Sequence, residues 1–285
     1  MIFFFSLIIL IITLAIKSKY LGELLHLMDL PEKGKIHKKP VPLLGGPLIF
    51  LSLSLYILFQ DNPNNEYFLY FYFTIFFLIG LLDDKKNLKP YLRIFLILIF
   101  SIILLNFDNS FIIEKIYFKD FDKSYYFGVY KIPVTLTCIL LLYISMNMQD
   151  GINGLVIITC IITLIIFKIL ILNTSLSLID LTLLTVLTIL LYFNYTSNLF
   201  LGNSGTSLLS GYLIYTLIAN NYYQNIDVWL VISLLLIPGL DMVRLFFARI
   251  SISQSPLQRD TLHLHHILLY KFKLLQSLII YIFLC

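Results

Sequence analysis

The chain is 285 residues long, 59% hydrophobic and 13% charged, with a formal net charge of +4 and a mean hydropathy of +0.92. A soluble globular domain carries about 25% charged residues, so this composition excludes a soluble enzyme or a nucleic-acid-binding domain and points to an integral membrane protein. Cys138 and Cys160 lie in hydrophobic runs and Cys285 is the last residue, which gives neither a disulfide framework nor a metal-ligand spacing.

A membrane span needs roughly 20 apolar residues. Hydrophobic runs between polar breaks predict about ten transmembrane helices in an all-α polytopic protein, near 1–16, 43–59, 67–82, 91–107, 133–148, 154–172, 176–193, 207–221, 227–246 and 272–285. The first run lacks a basic start and a small-residue cleavage site, so it is expected to stay as a span. The last ends abruptly, which leaves a truncated C-terminus open. With no repeat, heptad or low-complexity linker, residues 1–285 read as a single domain.

Basic residues set the expected orientation. Fifteen of them, including Lys33, Lys35, Lys85, Lys86, Arg93, Arg244, Arg249 and Arg259, fall on one side, against Lys115, Lys119, Lys123 and Lys131 on the other. By the positive-inside rule the first group is cytoplasmic and both termini face outward. The outward segments are short except 108–132, where aromatic, β-branched and charged residues around Gly128 predict a small hairpin or amphipathic piece.

The inward segments differ in kind. Asn147-Met148-Gln149-Asp150-Gly151-Ile152-Asn153-Gly154 is a polar knot between two apolar runs. An ionisable group beside a span is costly and is by default a candidate for function. Asp83-Asp84 closes the third span, and two adjacent carboxylates need a metal, basic neighbours or water to stay ionised. Gly202-Asn203-Ser204-Gly205 suits either a helix cap or, through free backbone N–H groups, a phosphate. His263, His265 and His266 raise the question of zinc, but no Cys partner or HExxH pattern accompanies them and the neighbouring arginines oppose a cation. Donation to a phosphate fits better, and on a helix His263 and His266 would share a face. Lys33, Lys35, Lys38 and Lys39 could simply meet anionic headgroups, and Gly45-Gly46 could simply permit close helix packing. This inventory suits metal-assisted phosphoryl transfer at a membrane face, with Mg²⁺.

Five blocks in order carry a family resemblance: DLPEKGKIHKKPVPLLGG, GLLDDKKNL, IPVTLTCILLLYISMNMQDGINGL, FLGNSGTSLLSG and IPGLDMVRLFFARISISQSPLQRDTLHLHH. Together they resemble the polyprenyl-phosphate N-acetylhexosamine-1-phosphate transferases, the glycosyltransferase family 4 enzymes that begin O-antigen, teichoic-acid and peptidoglycan lipid synthesis. The His-x-His-His form is closer to the O-antigen and teichoic-acid branch than to the pentapeptide translocase.

The resemblance implies transfer of a sugar 1-phosphate from a UDP-sugar to polyprenyl (undecaprenyl) phosphate, with release of UMP, at the cytoplasmic face of a bacterial inner membrane. It implies Mg²⁺, with Mn²⁺ as a substitute, and as partners the lipid phosphate, a UDP-activated amino sugar and the membrane, with a homodimer left open. It assigns Asp83, Asp84, Asp150 and His263 to catalysis and Asn147 and Asn203 to the metal. Asn87, Arg93, Asn147, Asn153, His37, His265, His266 and Arg259 are assigned to substrate. Three residues depart from the family pattern: Asn153 and Asn203 where aspartate is usual, and Leu43 where arginine often stands. The alternatives are a binding relative with impaired catalysis and, further off, a pentapeptide translocase or a transporter.

Overall fold

The computed structural model describes residues 2–31, 37, 39–60, 67–223, 225–253 and 262–284. Its helices are α1 (Ile2–Ile16), α2 (Ser18–Leu25), α3 (Gly45–Leu58), α4 (Tyr67–Lys86), α5 (Pro90–Leu105), α6 (Lys131–Gln149), α7 (Leu155–Ile165), α8 (Leu178–Tyr195), α9 (Gly202–Tyr223), α10 (Val228–Ser251), α11 (Leu264–Lys271) and α12 (Leu274–Leu284). A helix therefore stands on each of the ten apolar runs. The protein is an all-α membrane protein, with two small strand pairs among the described residues.

Among the described residues, four helical segments are able by length and apolarity to cross a membrane: Tyr67–Lys86, Gly128–Gln149, Leu178–Tyr195 and Val228–Ser251. The α1–α2 pair makes a fifth if it is one span bent by 69°. Helices α3, α5 and α12 are shorter, and α9 opens on the polar Gly202–Thr206 stretch instead of at 207. At 1.5 Å per residue the 14-residue α3 is about 21 Å long, short of a hydrocarbon core of about 30 Å.

The centre of the bundle is α9, buried along nearly its whole length. Small residues allow this, because they let neighbouring backbones come close. A Cβ on Gly46 would strike the backbone at Gly205 and Ser204, and one on Gly80 would strike the backbone of Asn203 and Ser204. Both neighbours are main chain and cannot rotate away. Gly80→Ala is accordingly expected to destabilise the fold by about 1–3 kcal/mol, read as a lower unfolding temperature in detergent at unchanged expression; an unchanged temperature would refute this packing.

The first strand pair, β1 (Met28–Asp29) with β2 (Val41–Pro42), is too short to leave a sequence signal. It matters because β2 hands its backbone on. Phe200 N donates to Pro42 O (2.9 Å), Gly45 N to Phe200 O (3.0 Å) and Gly46 N to Leu201 O (2.9 Å). The second pair, β3 (Lys115–Phe118) with β4 (Lys123–Tyr126), is the hairpin expected near 108–132, turning through Asp122 at φ 47°. It packs by Tyr117 and Lys119 against Asp227, at the start of α10.

At that end a buried carboxylate faces a half-buried lysine. Asp180 (1% exposed) closes a capping box with Ser177 and accepts the Tyr212 hydroxyl at 2.6 Å, and Lys168 Nζ stands 3.6 Å away. Lys168 sits where α7 passes into a π-helix over Ile166–Ile171. These charges tie α7, α8 and α9 together, away from the ends of α4 and α6.

Candidate active site

Three helix ends meet at the other end of the bundle. The last turn of α4 places Asp83 and Asp84 a helical step of about 100° apart, so they address different neighbours. Asp83, 1% exposed, accepts Arg93 Nη1 at 2.7 Å and Leu88 N at 2.8 Å. The same guanidinium nitrogen reaches Asn147 Oδ1 at 3.3 Å, which joins α4, α5 and α6. Lys85 and Lys86, the basic neighbours in sequence, are exposed and form no ion pair with Asp83 or Asp84 among the described residues.

Asp84 turns to α9 and accepts Asn203 N at 2.7 Å and Ser204 N at 2.9 Å. The Gly-Asn-Ser-Gly backbone, a candidate phosphate cradle in the sequence, is thus already capped by a carboxylate from α4. A helix N-terminus favours negative charge from any source, and here the source is internal. One turn on, Thr206 Oγ1 donates to Asp150 Oδ2 at 2.8 Å, which brings the exposed carboxylate of the knot against α9. Asn203 and Thr206, three residues apart, share that face.

The knot itself is held at several points. Gly154 adopts φ +85° and starts α7, its N–H donating to Asn194 Oδ1 at 2.5 Å, while Asn153 Nδ2 donates to Ser197 Oγ at 2.8 Å. Gly151 lies directly against the histidines. A Cβ there would collide with His265 Nε2 and His266 Nε2.

The histidine segment differs from its expected form. Helix α11 begins at Leu264, and His263 is its N-cap in extended backbone, so His263 and His266 are not on one helical face. His263 Nδ1 lies 3.0 Å from Asp241 Oδ2 and its Nε2 lies 3.4 Å from Arg249 Nη2. Asp241 also accepts Leu264 N (3.1 Å) and Arg244 Nη2 (2.8 Å), which pins the start of α11 to α10. Both nitrogens of His263 are engaged. His265 is the opposite case: it is 1% exposed, and neither ring nitrogen has a hydrogen-bond partner. Burial, followed by the neighbouring His266 and His263, lowers its pKa to about 3, so it is a neutral imidazole at ordinary pH.

Asp241, His263 and His265 are the one group of three His, Cys or acidic side chains at metal-ligand spacing among the described residues, within 4.8 Å of one another. The guanidinium of Arg244 on Asp241 and that of Arg249 beside His263 compete with a cation for the same atoms. The arrangement fits proton sharing and anion contact.

His37 bonds Asp29 at 2.9 Å and packs its ring 5.2 Å from Phe200, beside the start of α9. Asn87 is exposed at φ 48° and ends α4, donating its N–H to Asp83 O at 2.8 Å. Arg259 lies outside the described residues. Asn147 turns its oxygen to Arg93 and keeps its buried Nδ2 unpaired, which suits a donor to substrate more than a metal ligand. The structure adds Thr206, Asp241, Arg249 and Gln149 to the expected set. Gln149, 3% exposed, has both amide atoms unpaired. Asp241 did carry a sequence signal, since it is an acid inside an apolar run.

The family model of Glycosyl transferase family 4 matches residues 67–221, from the start of α4 almost to the end of α9. The chain belongs to this family. The family 4 match thus spans the ends of α4 and α6, the knot and the first turn of α9. Similar curated proteins include the undecaprenyl-phosphate alpha-N-acetylglucosaminyl 1-phosphate transferase of Haemophilus influenzae, 24% identical over 270 residues, covering 87% of this chain and 73% of that protein. The protein of the same name from Thermotoga maritima is 26% identical over 242 residues, 84% of this chain and 72% of its own. The phospho-N-acetylmuramoyl-pentapeptide-transferase of Borrelia garinii subsp. bavariensis is 33% identical over 144 residues, which is 45% of this chain and 41% of that protein.

Proposed function

We propose that this family 4 chain transfers a sugar 1-phosphate, of the N-acetylhexosamine class, from a UDP-sugar to undecaprenyl or a similar polyprenyl phosphate. The reading includes ten spans, outward termini and a site on the cytoplasmic face of a bacterial inner membrane, at the first step of an envelope polysaccharide. Its strongest support is the junction of α4, α6 and α9, where the knot and Asp83-Asp84 meet in the segment shared with the family.

In this reaction an oxygen of the lipid phosphate forms a bond to the β-phosphorus of the UDP-sugar. The bond from that phosphorus to the bridging oxygen breaks, and UMP leaves with the electron pair. Such a transfer asks for charge neutralisation and alignment more than for covalent help. Arg93, pinned by Asp83 and Asn147, supplies a fixed positive charge. Asp83 and Asp84 act through what they hold, Arg93 and the start of α9. His265 offers a neutral N–H beside Gly151. Mg²⁺, or Mn²⁺, fits the exposed Asp150 carboxylate with Asn203 on the adjoining face of α9, since Mg²⁺ commonly takes one or two protein oxygens plus substrate phosphates. When bound, it supplies neutralisation of the diphosphate.

The test is UMP release by purified protein given Mg²⁺, polyprenyl phosphate and a panel of UDP-N-acetylhexosamines. UMP appearing only when lipid and sugar nucleotide are both present is the expected result. Nucleotide binding without UMP would replace this reading with the binding relative, which the amide at Asn203 favours.

A further inference from the structure

Two stripes run along α1 and α2 without interruption. The inward one is Leu7, Ile11, Ala15, Ser18 and Gly22, each buried. The outward one is Phe5 (69% exposed), Ile9, Ile12, Ile16 (69%), Tyr20 (67%) and Leu24 (61%). Spacings of three and four residues keep each set on one helical face. In α1 an outward apolar stripe is what a lipid-facing span shows. The axis then bends by 69° at Lys17, and the stripe continues.

That bend turns α2 out of the direction of α1. We infer that α2 is an interfacial helix, with Tyr20 and Leu24 immersed at the boundary of headgroups and acyl chains and Lys17 and Lys19 reaching to the headgroups. Three observations support the bilayer as the occupant. The exposed face is continuous with the lipid-facing side of α1. It carries large apolar groups at two-thirds exposure, which water would not stabilise. Lys17 and Lys19, both exposed, stand just before Tyr20 at the start of α2, where cationic side chains can snorkel to the headgroups from a helix lying in the membrane plane.

The opposite face of α2 makes the placement matter. A Cβ on Gly22 would meet Met28 Sδ at 2.7 Å and Pro42 Cβ at 2.8 Å, so α2 lies directly on β1 and β2. From β2 the hydrogen bonds run through Phe200 and Leu201 to the first turn of α9, where Asp84 caps Asn203 and Ser204. A helix floating at the headgroup level thereby sets the depth of the candidate site. This consequence rests on the proposed reaction, which must bring a lipid phosphate and a water-soluble nucleotide to one height; the seating of α2 does not.

The test uses the full chain in vesicles, with Trp229, its sole tryptophan, changed to Phe and Tyr20→Trp as the reporter. Phospholipids brominated near the headgroup end of the acyl chain are expected to quench its fluorescence more strongly than those brominated near the methyl end. Quenching strongest by the deep bromines would mean that α2 continues the span, and quenching by neither would mean that protein or water covers the face. Either result overturns the inference. No turnover is needed, so failure of the proposed reaction would be seen separately.

Discussion

Asp83→Asn is expected to lower UMP release by about 10²–10³-fold, the usual loss when a charge-stabilising contact is displaced, while the chain still inserts and still binds nucleotide. Asn keeps the shape of Asp83 but leaves the buried Arg93 without its counter-charge. Breaking a buried pair on one side also costs about 3–5 kcal/mol of stability, so unfolding temperature must be measured beside turnover. Because Asp83 works by holding Arg93, Arg93→Ala and the double variant should lose about as much activity as Asp83→Asn alone. Side chains that act as one unit are strongly non-additive. Losses that simply multiply would show that Asp83 touches the reaction independently of Arg93, and unchanged turnover would remove both from the site.

His265→Gln is expected to reduce turnover by about 10²–10³-fold and to change how stability depends on pH. Burial lowers the His265 pKa from 6.5 to about 3. In the unfolded chain this histidine takes up a proton near its ordinary value, so between about pH 6.5 and about pH 3 the unfolded state binds the extra proton. Stability contributed by neutral His265 is therefore present above that window and lost as pH falls through it, at up to about 1.4 kcal/mol per pH unit. Gln149 and the carboxylates are unaltered in the variant, so its unfolding temperature should fall less than that of the parent on acidification in detergent. Parallel curves would mean that His265 is protonated in the folded protein.

Much of the architecture was legible because membrane segments write themselves into composition. Every apolar run became a helix, and the hairpin fell inside the stretch where aromatic and charged residues alternate. Span lengths were less legible: α3 and α12 are short, and α9 starts five residues earlier than its apolar run, on glycine and serine. Hydropathy reads a polar helix start as loop, although a half-buried carboxylate from another helix, here Asp84, can cap it.

The site shows the same division. Asp83, Asp84, Asp150 and the histidines were visible as charges and donors gathered beside spans, and the order of the blocks pointed to the family. The sequence by itself thus determined the class of protein, the positions of its helices and the pool of polar residues available for chemistry. Only the tertiary structure decided who holds whom. Neighbouring Asp83 and Asp84 serve different helices because one residue is a turn of about 100°. Asp84 fills the backbone cradle that looked open to phosphate. His263 spends both nitrogens on Asp241 and Arg249 while His265, two residues on, keeps both unpaired. Hydrogen bonds and burial depend on atoms within a few ångströms, contributed by segments up to 120 residues apart in sequence, and linear spacing carries no record of them.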